Sequence, residues 1–329
     1  MRGYSRGSLL ARASFRSIAF MRAPLKLRSA ASFLIRKYRW LPATSTVACA
    51  ATLLIVIVEG ASPFWVLGAC LALIFAAYVW GYAARAFRVI NYPSLLNLPR
   101  RQYSEVWDAL AASPSLARTA ACGHEDERRL RRSAEIPVKN LIELADVRPQ
   151  DDILEFGCGV ARIGLELAHR CRTWTGADIS ANMLAAAAER LQGTTNTRLV
   201  RLQQIGLDQL ESNSFDLTYS TNMLAHLDEM DRWRYVKDAF RVLRPGGRLY
   251  IDNVDIESEE GWEAFSRGAD SSQDSERPPY FPTPSTAAEL TAYALRAGFG
   301  QMQAHKRTPL VILTAVKPAL EQDHSFTSP

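Results

Sequence analysis

A short apolar segment that runs into two glycines constrains this chain more than any other feature. The segment is residues 153–156, and Gly157 and Gly159 follow it before a helical apolar pattern begins at Ile163. That order predicts a β-strand, a tight loop and an α-helix, the first unit of a nucleotide-binding α/β fold. Glycine suits such a loop because its backbone takes unusual dihedral angles and lets a ligand approach closely. The helix N-terminus behind the loop would present free N–H groups to that ligand.

The residues around the glycines indicate which nucleotide derivative binds. The NAD pattern G-x-G-x-x-G requires a third glycine, and this chain has Arg162 at that position. An acid, Glu155, lies two residues before the first glycine. A carboxylate there suits a ligand with a cationic amino group, whereas it would repel a pyrophosphate. The segment resembles motif I of the class I S-adenosylmethionine-dependent methyltransferases, written (D/E)-x-G-x-G.

Three further segments resemble motifs of that family, in the family's order. Residues 174–180 resemble a second strand ending in an acid, and its continuation D-x-S-x-x-M-L is present as Asp178, Ser180, Met183 and Leu184. Residues 214–220 resemble the fourth strand, and residues 242–251 resemble the L-(R/K)-P-G-G turn before strand five. The resemblance implies an α/β fold with a Rossmann-like, doubly wound, seven-stranded sheet. It also implies S-adenosyl-L-methionine as the cofactor.

The same resemblance implies which residues surround the cofactor. The carboxylate of Asp178 is expected to bind both ribose hydroxyls, a use shared with NAD folds. Gln204 and Ile205 are expected near the adenine, at a place where the family often has an acid that this chain lacks. Cys158 is interpreted as a small loop residue and not as a nucleophile. The predicted cofactor-binding set is Glu155, Gly157, Cys158, Gly159, Arg162, Asp178, Ile179, Met183, Gln204, Ile205 and Ser220, and no metal site is predicted.

Two residues are candidates for proton transfer. His226 follows the fourth strand in a segment similar to the family's (L/F)-x-H-(L/V), which faces the methyl group; a helix-packing role for this histidine stays open. Asp252 is predicted at the carboxyl end of the fifth strand, where open α/β sheets bind ligands, with a loop cap as the alternative. A hydroxyl or phenol acceptor needs a base. The sequence therefore favours O-methylation with His226 as the leading base.

The distribution of charge argues against a nucleic-acid partner. The formal net charge is +5, but residues 1–58 contain ten Lys or Arg and no acid, which leaves 29 basic and 34 acidic residues in the rest of the chain. Nucleic acids usually select a basic patch on the folded domain, and here the folded domain is mildly acidic. The five cysteines form no C-x-x-C pair and no even-numbered framework, which favours reduced thiols facing the cytosol.

The first 84 residues predict a membrane anchor. Residues 41–58 and 64–84 carry no charge, and helices of these lengths would span about 27 and 32 Å, close to the ~30 Å hydrocarbon core of a bilayer. Lys and Arg flank the pair on both outer sides, which places both termini in the cytoplasm. Two buried helices of a soluble protein are the alternative. The preceding basic arm is interpreted as disordered chain, as a segment held against anionic lipid, or as a mitochondrial transit peptide.

These features predict five regions and one leading function. The regions are a basic arm (1–40), a transmembrane helical hairpin (41–84), a connector (85–120), a methyltransferase domain (121–318) and a tail (319–329). The predicted protein is an integral membrane methyltransferase that acts at the cytoplasmic face on a small-molecule or lipid-linked acceptor; the mitochondrial inner membrane is the alternative location. A non-catalytic, cofactor-binding membrane adaptor and an NAD-dependent reductase are the alternative functions.

Overall fold

The computed structural model describes residues 101–269 and 280–319. The basic arm, the predicted hairpin, the first part of the predicted connector and almost all of the predicted tail lie outside these ranges. No helix within the described ranges is long and apolar enough to cross a membrane. The transmembrane hairpin at residues 41–84 therefore stays a prediction.

Seven strands form one mixed sheet in the described part of the chain. The strands are β1 (Asp152–Phe156), β2 (Thr173–Asp178), β3 (Thr197–Arg201), β4 (Phe215–Ser220), β5 (Leu243–Val254), β6 (Gly300–Arg307) and β7 (Leu310–Val316). Their order is β3-β2-β1-β4-β5-β7-β6, in which β1 to β5 are parallel and β7 is antiparallel to both of its neighbours. The order reverses between β1 and β4, and open α/β sheets bind ligands at the carboxyl ends of strands beside such a reversal. This topology confirms the predicted Rossmann-like, seven-stranded fold.

Helices cover both faces of the sheet because side chains alternate between the faces along each strand. The α-helices in the described ranges are α1 (Tyr103–Leu110), α2 (Pro114–Cys122), α3 (Glu127–Ala145), α4 (Gly164–Leu167), α5 (Ala181–Arg190), α6 (Glu229–Val242), α7 (Glu259–Ala269) and α8 (Ala287–Ala297). Leu154 of β1 packs in one apolar cluster with α6 and α8, and its neighbour Ile153 packs in a second cluster with α3 and α5.

Polar side chains cap the helices that start at the carboxyl edge of the sheet. The Ser180 hydroxyl accepts a hydrogen bond from the Met183 N–H at the start of α5. Asp228 caps α6 and Thr286 caps α8 in the same way. These caps fix where each helix leaves the edge at which the site lies.

The family's L-R-P-G-G segment differs from the prediction of a turn before strand five. Residues 244–247 lie within β5, where the pairing with β4 moves from Phe215↔Leu243 to Leu217↔Arg248. The extra residues form a bulge, and backbone hydrogen bonds to Lys317, which follows β7, hold it in place. The predicted turn is therefore a bulge inside the strand.

Helix α1 is fixed at both of its ends to helices that pack on the sheet. At one end, the Tyr103 hydroxyl donates to Asp231 Oδ2 (3.1 Å) in α6. At the other end, Asp108 Oδ1 accepts hydrogen bonds from Ser180 Oγ (2.6 Å) and from the Asn182 N–H (3.1 Å) at the start of α5. Residues predicted as part of a connector thus contribute a helix that lies against the folded domain.

Candidate active site

A cavity opens where the carboxyl ends of β1, β2 and β4 meet. Its walls border about 870 Å³ of empty space, open solvent included. The structure brings together at its wall most of the residues predicted from the sequence: Glu155, Gly157, Cys158, Gly159, Arg162, Asp178, Ile179, Met183, Ile205 and His226.

The two glycines of the loop after β1 have different roles. Gly157 has a φ of +74°, and a Cβ atom on it would lie 2.5 Å from Met223 Cγ. Gly159 has a φ of +52°, and a Cβ atom there would meet no protein atom within 4 Å. The first glycine is therefore required by packing within the protein. The second keeps a space clear that a ligand can fill.

Gly164 takes the packing role that the NAD pattern gives to its third glycine. A Cβ atom on Gly164 would lie 2.1 Å from Trp174 Cζ2 of β2. The close approach of the helix to the sheet thus occurs two residues later than in the NAD pattern. Arg162, at the position of the NAD glycine, is left to line the cavity.

Glu155 is a buried acid at the base of the cavity, with 3% of its surface exposed. The Tyr219 hydroxyl donates to Glu155 Oε2 (2.6 Å) and itself accepts a hydrogen bond from Trp174 Nε1 (3.0 Å). Burial raises the pKa of Glu155 to about 8, against the opposing effects of the Tyr219 hydrogen bond and the Arg162 charge. A cationic ligand group would stabilise the ionised carboxylate.

Asp178, at the end of β2, shapes the loop as well as lining the cavity. Its Oδ2 accepts from the Gly159 N–H (2.8 Å), and its Oδ1 accepts from the Ser180 N–H (2.9 Å). Burial raises the pKa of Asp178, and these N–H donors oppose the shift. Each carboxylate oxygen can accept a further hydrogen bond. The two oxygens therefore remain able to bind a pair of hydroxyls.

Arg162 gives the cavity one positive charge close to two acids. Its guanidinium donates to the backbone oxygen and the hydroxyl of Ser133 in α3. Burial lowers the pKa of Arg162, and the nearby charges of Glu155 and Asp252 oppose that shift. The base of the site thus holds acids and a cation together.

Asp252 is not among the residues that line the cavity, and its predicted catalytic role stays a prediction. It is buried at the end of β5, and its Oδ1 accepts a hydrogen bond from the Asn222 N–H (2.7 Å). Burial raises the pKa of Asp252 to about 7. Asn222 itself has a φ of +59° and lines the cavity. In the structure, Asp252 supports the loop that follows β4.

His226 lies at the cavity wall, in the short 3₁₀ turn Leu224–His226 that follows β4. The indole of Trp107 in α1 packs edge to face against its imidazole, with ring centroids 4.9 Å apart and an interplanar angle of 72°. The structure therefore places the predicted base in the same cavity as Glu155 and Asp178. An aromatic contact from α1 orients its ring.

Gln204 and Ser220 are not among the residues that line the cavity. Gln204 Nε2 donates to Asp208 Oδ2 (2.6 Å), and Ser220 is buried with its hydroxyl 3.8 Å from Met223 Sδ. Their cofactor contacts stay predictions.

Sequence reasoning missed a second group of wall residues, which α1, α2 and the loop after β4 contribute. The sequence motifs of the cofactor site start at β1 and do not include α1. The available signal was the spacing of apolar residues in α1, where Tyr103, Val106 and Leu110 define a buried face. The missed wall residues include Tyr103, Trp107, Ala120, Ala121, Thr221, Asn222, Met223 and Leu227.

Comparison with known proteins finds a family match over the segment that holds much of this site. Residues 153–247 match a family described as a methyltransferase domain. The chain is 27% identical over 116 residues to phosphoethanolamine N-methyltransferase 1 of Arabidopsis thaliana, across 35% of this chain and 23% of that protein. It is 31% identical over 116 residues to demethylmenaquinone methyltransferase of Desulfitobacterium hafniense, across 34% of this chain and 45% of that protein. The chain thus spans less than half the length of either curated relative.

One solved structure of similar fold is phosphoethanolamine N-methyltransferase 2 of Haemonchus contortus, in complex with phosphomonomethylethanolamine and S-adenosylhomocysteine. The identity is 16%, the TM-score is 0.49, and the match covers 67% of this chain and 60% of that chain. The family match covers the segment from β1 to the bulge of β5, which holds Glu155, the two loop glycines and Asp178. Residues 153–247 of this chain therefore match a methyltransferase domain, in agreement with the family that the sequence motifs resemble.

Proposed function

We propose that this protein transfers a methyl group from S-adenosyl-L-methionine to a small-molecule acceptor, with an acceptor oxygen favoured. The observation that carries the proposal is that Glu155, Asp178 and His226 all line the same cavity. The first two supply cofactor recognition, and the third supplies a base beside the cofactor site.

The cavity residues fit the chemical groups of this cofactor. Glu155 supplies negative charge for an ammonium group, and Arg162 supplies positive charge for a carboxylate. Asp178 has acceptor capacity for ribose hydroxyls. Ile179 and Ile205 supply apolar surface for a base. A pyrophosphate-containing dinucleotide would instead meet the Glu155 carboxylate, which disfavours the reductase alternative.

When bound, the cofactor supplies an electrophilic methyl group on a sulfonium. The protein then has to align the acceptor and exclude water, and such positioning accounts for a large part of the rate in reactions of this kind. His226 is proposed to take the proton of an acceptor hydroxyl. Trp107 holds the imidazole by its edge-to-face contact and closes the wall beside it.

The wall around His226 supports an acceptor with an apolar or aromatic body. Trp107, Met223 and Leu227 line this part of the cavity, together with Ala120 and Ala121. The relatives carry names with two unlike acceptors, phosphoethanolamine and demethylmenaquinone, so the names do not choose between acceptor classes. The apolar wall favours a lipid-linked acceptor such as a quinone precursor over a polar head group or a sugar hydroxyl.

The predicted hairpin at residues 41–84 supports action at the cytoplasmic face of a membrane. We expect the full chain to remain in the membrane fraction after carbonate extraction, because two uncharged segments of bilayer-spanning length precede the domain. Protease added to right-side-out vesicles should leave the domain intact. Recovery of the chain in the carbonate supernatant would contradict membrane insertion, and co-fractionation with mitochondrial inner membranes would select the alternative location.

Cofactor binding is the first test, made by calorimetry on the detergent-solubilised full chain. S-adenosylmethionine and S-adenosylhomocysteine should bind, and NADH should not. Asp178→Ala should weaken binding roughly 10- to 100-fold because hydrogen bonds to a buried carboxylate are lost. Glu211→Ala is the matched control, since Glu211 is an exposed acid that does not line the cavity. Tighter binding of NADH than of S-adenosylmethionine would favour the alternative function, an NAD-dependent reductase.

Methyl transfer is the second test, made with cofactor labelled in the methyl group and a total lipid extract. We expect label in the lipid fraction, reduced by His226→Gln without loss of S-adenosylhomocysteine binding. Label only in water-soluble products would contradict a lipid-linked acceptor. Cofactor binding without transfer to any fraction would favour the non-catalytic adaptor.

A further inference from the structure

We propose that Arg232 is a positioning residue for His226. Its hydrogen bonds connect the turn that contains His226 to residues 283–289, which lie more than fifty residues later in the chain. This inference deepens the proposed function, since His226 is the base proposed there. Arg232 lies in the first turn of α6, and 1% of its surface is exposed. A guanidinium so deeply buried is stable only when its charge and its N–H groups are satisfied.

The guanidinium of Arg232 makes hydrogen bonds to two separate parts of the chain. Its Nε donates to the backbone oxygen of Leu224 (2.9 Å), in the turn that holds His226. Its two terminal nitrogens donate to the Thr283 backbone oxygen (2.7 Å), to Ser285 Oγ (2.8 Å) and to Glu289 Oε1 (2.9 Å). The planar fork of arginine thus bridges residues 224 and 283–289, and a lysine cannot reproduce that geometry.

Residues 283–285 also bond directly to the same turn. The Thr283 N–H donates to the Ala225 backbone oxygen (2.7 Å). The Thr283 hydroxyl is 3.0 Å from the Ala225 oxygen and 3.3 Å from the Leu227 oxygen. Carbonyls on both sides of His226 therefore bind either Arg232 or Thr283. The turn has little freedom to shift while these bonds last.

The end of β5 anchors residues 283–285 in turn. Asn253, fully buried, donates through Nδ2 to Ser285 Oγ (2.6 Å). The Ser285 N–H donates to the Val254 oxygen (2.9 Å), and the Ile256 N–H donates to the Ser285 oxygen (3.0 Å). Arg232 consequently connects the His226 turn to a segment that is itself fixed to the central sheet. Its bonds are to the backbone of the turn, so it acts on the position of His226 without touching the cavity.

The test compares Arg232→Lys with Arg241→Lys in the full chain, measured by hydrogen exchange and by NMR of the histidine side chains. Arg241 is the matched control because it lies on the same helix and donates to backbone oxygens of Leu207 and Leu210, on another loop. We expect Arg232→Lys to speed amide exchange in residues 222–228 and 281–286 about 10-fold, the effect of losing hydrogen bonds to a charged group. The imidazole signals of His226, assigned by their loss in His226→Gln, should move.

S-adenosylhomocysteine affinity should stay unchanged in Arg232→Lys, because the cofactor residues on β1 and β2 are not bonded to Arg232. With an acceptor that turns over, kcat should fall about 10-fold while the cofactor KM is retained. Unchanged exchange and unchanged His226 signals would overturn the inference. Equal acceleration of residues 207–212 would also overturn it, because that result indicates general destabilisation.

A second variant keeps the test decisive if Arg232→Lys does not fold. Thr283→Val removes the hydroxyl that bonds to the turn and keeps the side-chain shape. We expect faster exchange in residues 222–228 with normal S-adenosylhomocysteine binding, and no change in that exchange would overturn the inference. These readouts need no acceptor, so a protein that binds cofactor and methylates nothing would refute the proposed function while the positioning result stood.

Discussion

At the scale of single residues, the two glycines of the loop after β1 are required for different reasons. Gly157 is needed because Met223 occupies the space beside it, whereas Gly159 has a positive φ and leaves open space that a ligand can fill. The sequence motif marks both positions alike. The structure shows a packing cause for the first glycine and leaves the second free to serve binding.

Substituting each loop glycine by alanine should therefore give different results. Gly159→Ala should cost about 1 kcal/mol of stability, from the positive φ alone, and should strongly weaken S-adenosylhomocysteine binding. Gly157→Ala should lower the melting temperature more, because its Cβ would lie 2.5 Å from Met223 Cγ as well. Thermal melts with and without S-adenosylhomocysteine measure both effects. Equal destabilisation by the two variants would contradict the assignment.

The buried acids should make the empty protein less stable as the pH rises. Burial raises the pKa of Glu155 from 4.5 to about 8, so the folded state keeps a proton that the unfolded chain releases. The unfolded state then binds fewer protons between these values, and the free energy of unfolding falls with rising pH from about 4.5 to about 8. Asp252, whose pKa is raised from 3.8 to about 7, acts in the same direction.

Urea unfolding of the empty protein at about pH 5 and at about pH 8 checks this pH dependence. Glu155→Gln should flatten the loss of stability between the two, and the exposed Glu166→Gln should leave it unchanged. A pH dependence of equal size in both variants would show that another group causes it.

Much of the cofactor half of the site could be predicted from sequence, because each feature is local. An acid and two glycines after an apolar run, and an acid ending the next strand, define Glu155, Gly157, Gly159 and Asp178 without knowledge of distant contacts. The family analogy predicts Gln204 near the adenine; in the structure its amide bonds to Asp208, and its cofactor contact stays a prediction. Loop side chains depend on neighbours that the motif does not specify.

At the scale of elements, α1 is the part of the site that the motifs could not show. It lies more than forty residues before β1 in sequence, yet Tyr103 and Trp107 line the cavity. Its position depends on bonds to α5 and α6, which are made only in the folded state. The sequence predicts a connector over residues 85–120, and only tertiary contacts determine that α1 forms part of the cavity wall.

Weakening the attachment of α1 should therefore affect ligand binding, because α1 contributes residues to the cavity wall. Asp108→Ala removes an acceptor for Ser180 Oγ and for the Asn182 N–H. We expect a loss of about 1–3 kcal/mol in stability and faster dissociation of S-adenosylhomocysteine. Trp107 fluorescence reports the change by stopped flow. Glu105→Ala, an exposed change on the same helix, is the control, and the same dissociation rate in both variants would contradict a role for the α1 attachment.

At the scale of the whole domain, the two ends of the parallel strands have different roles. The cavity lies at their carboxyl ends. At their amino ends, Arg244 forms ion pairs with Asp152 of β1 (3.0 Å) and with Asp216 of β4 (2.7 Å), and Arg172 pairs with the same two acids. The hydrogen bond from Arg172 is the largest cause of the lowered pKa of Asp152, about 2. These ion pairs join neighbouring strands at the end opposite to the cavity.

Arg244→Ala should accordingly lower stability by about 1 kcal/mol, the upper end for partly exposed ion pairs, and leave S-adenosylhomocysteine affinity unchanged. Urea unfolding and calorimetry on the same preparation measure the two quantities. High salt should reduce the difference between variant and parent because it screens exposed charges. A loss of affinity in Arg244→Ala would show that the two ends of the strands are coupled.

The attachment of α1 has one more consequence for the molecule. Tyr103 lines the cavity, and its hydroxyl donates to Asp231 in the first turn of α6. Arg232, the next residue of that turn, donates to the backbone oxygen of Leu224 in the turn that holds His226. Adjacent residues of one helix thus support two parts of the cavity wall, so unwinding the start of α6 should disturb both together.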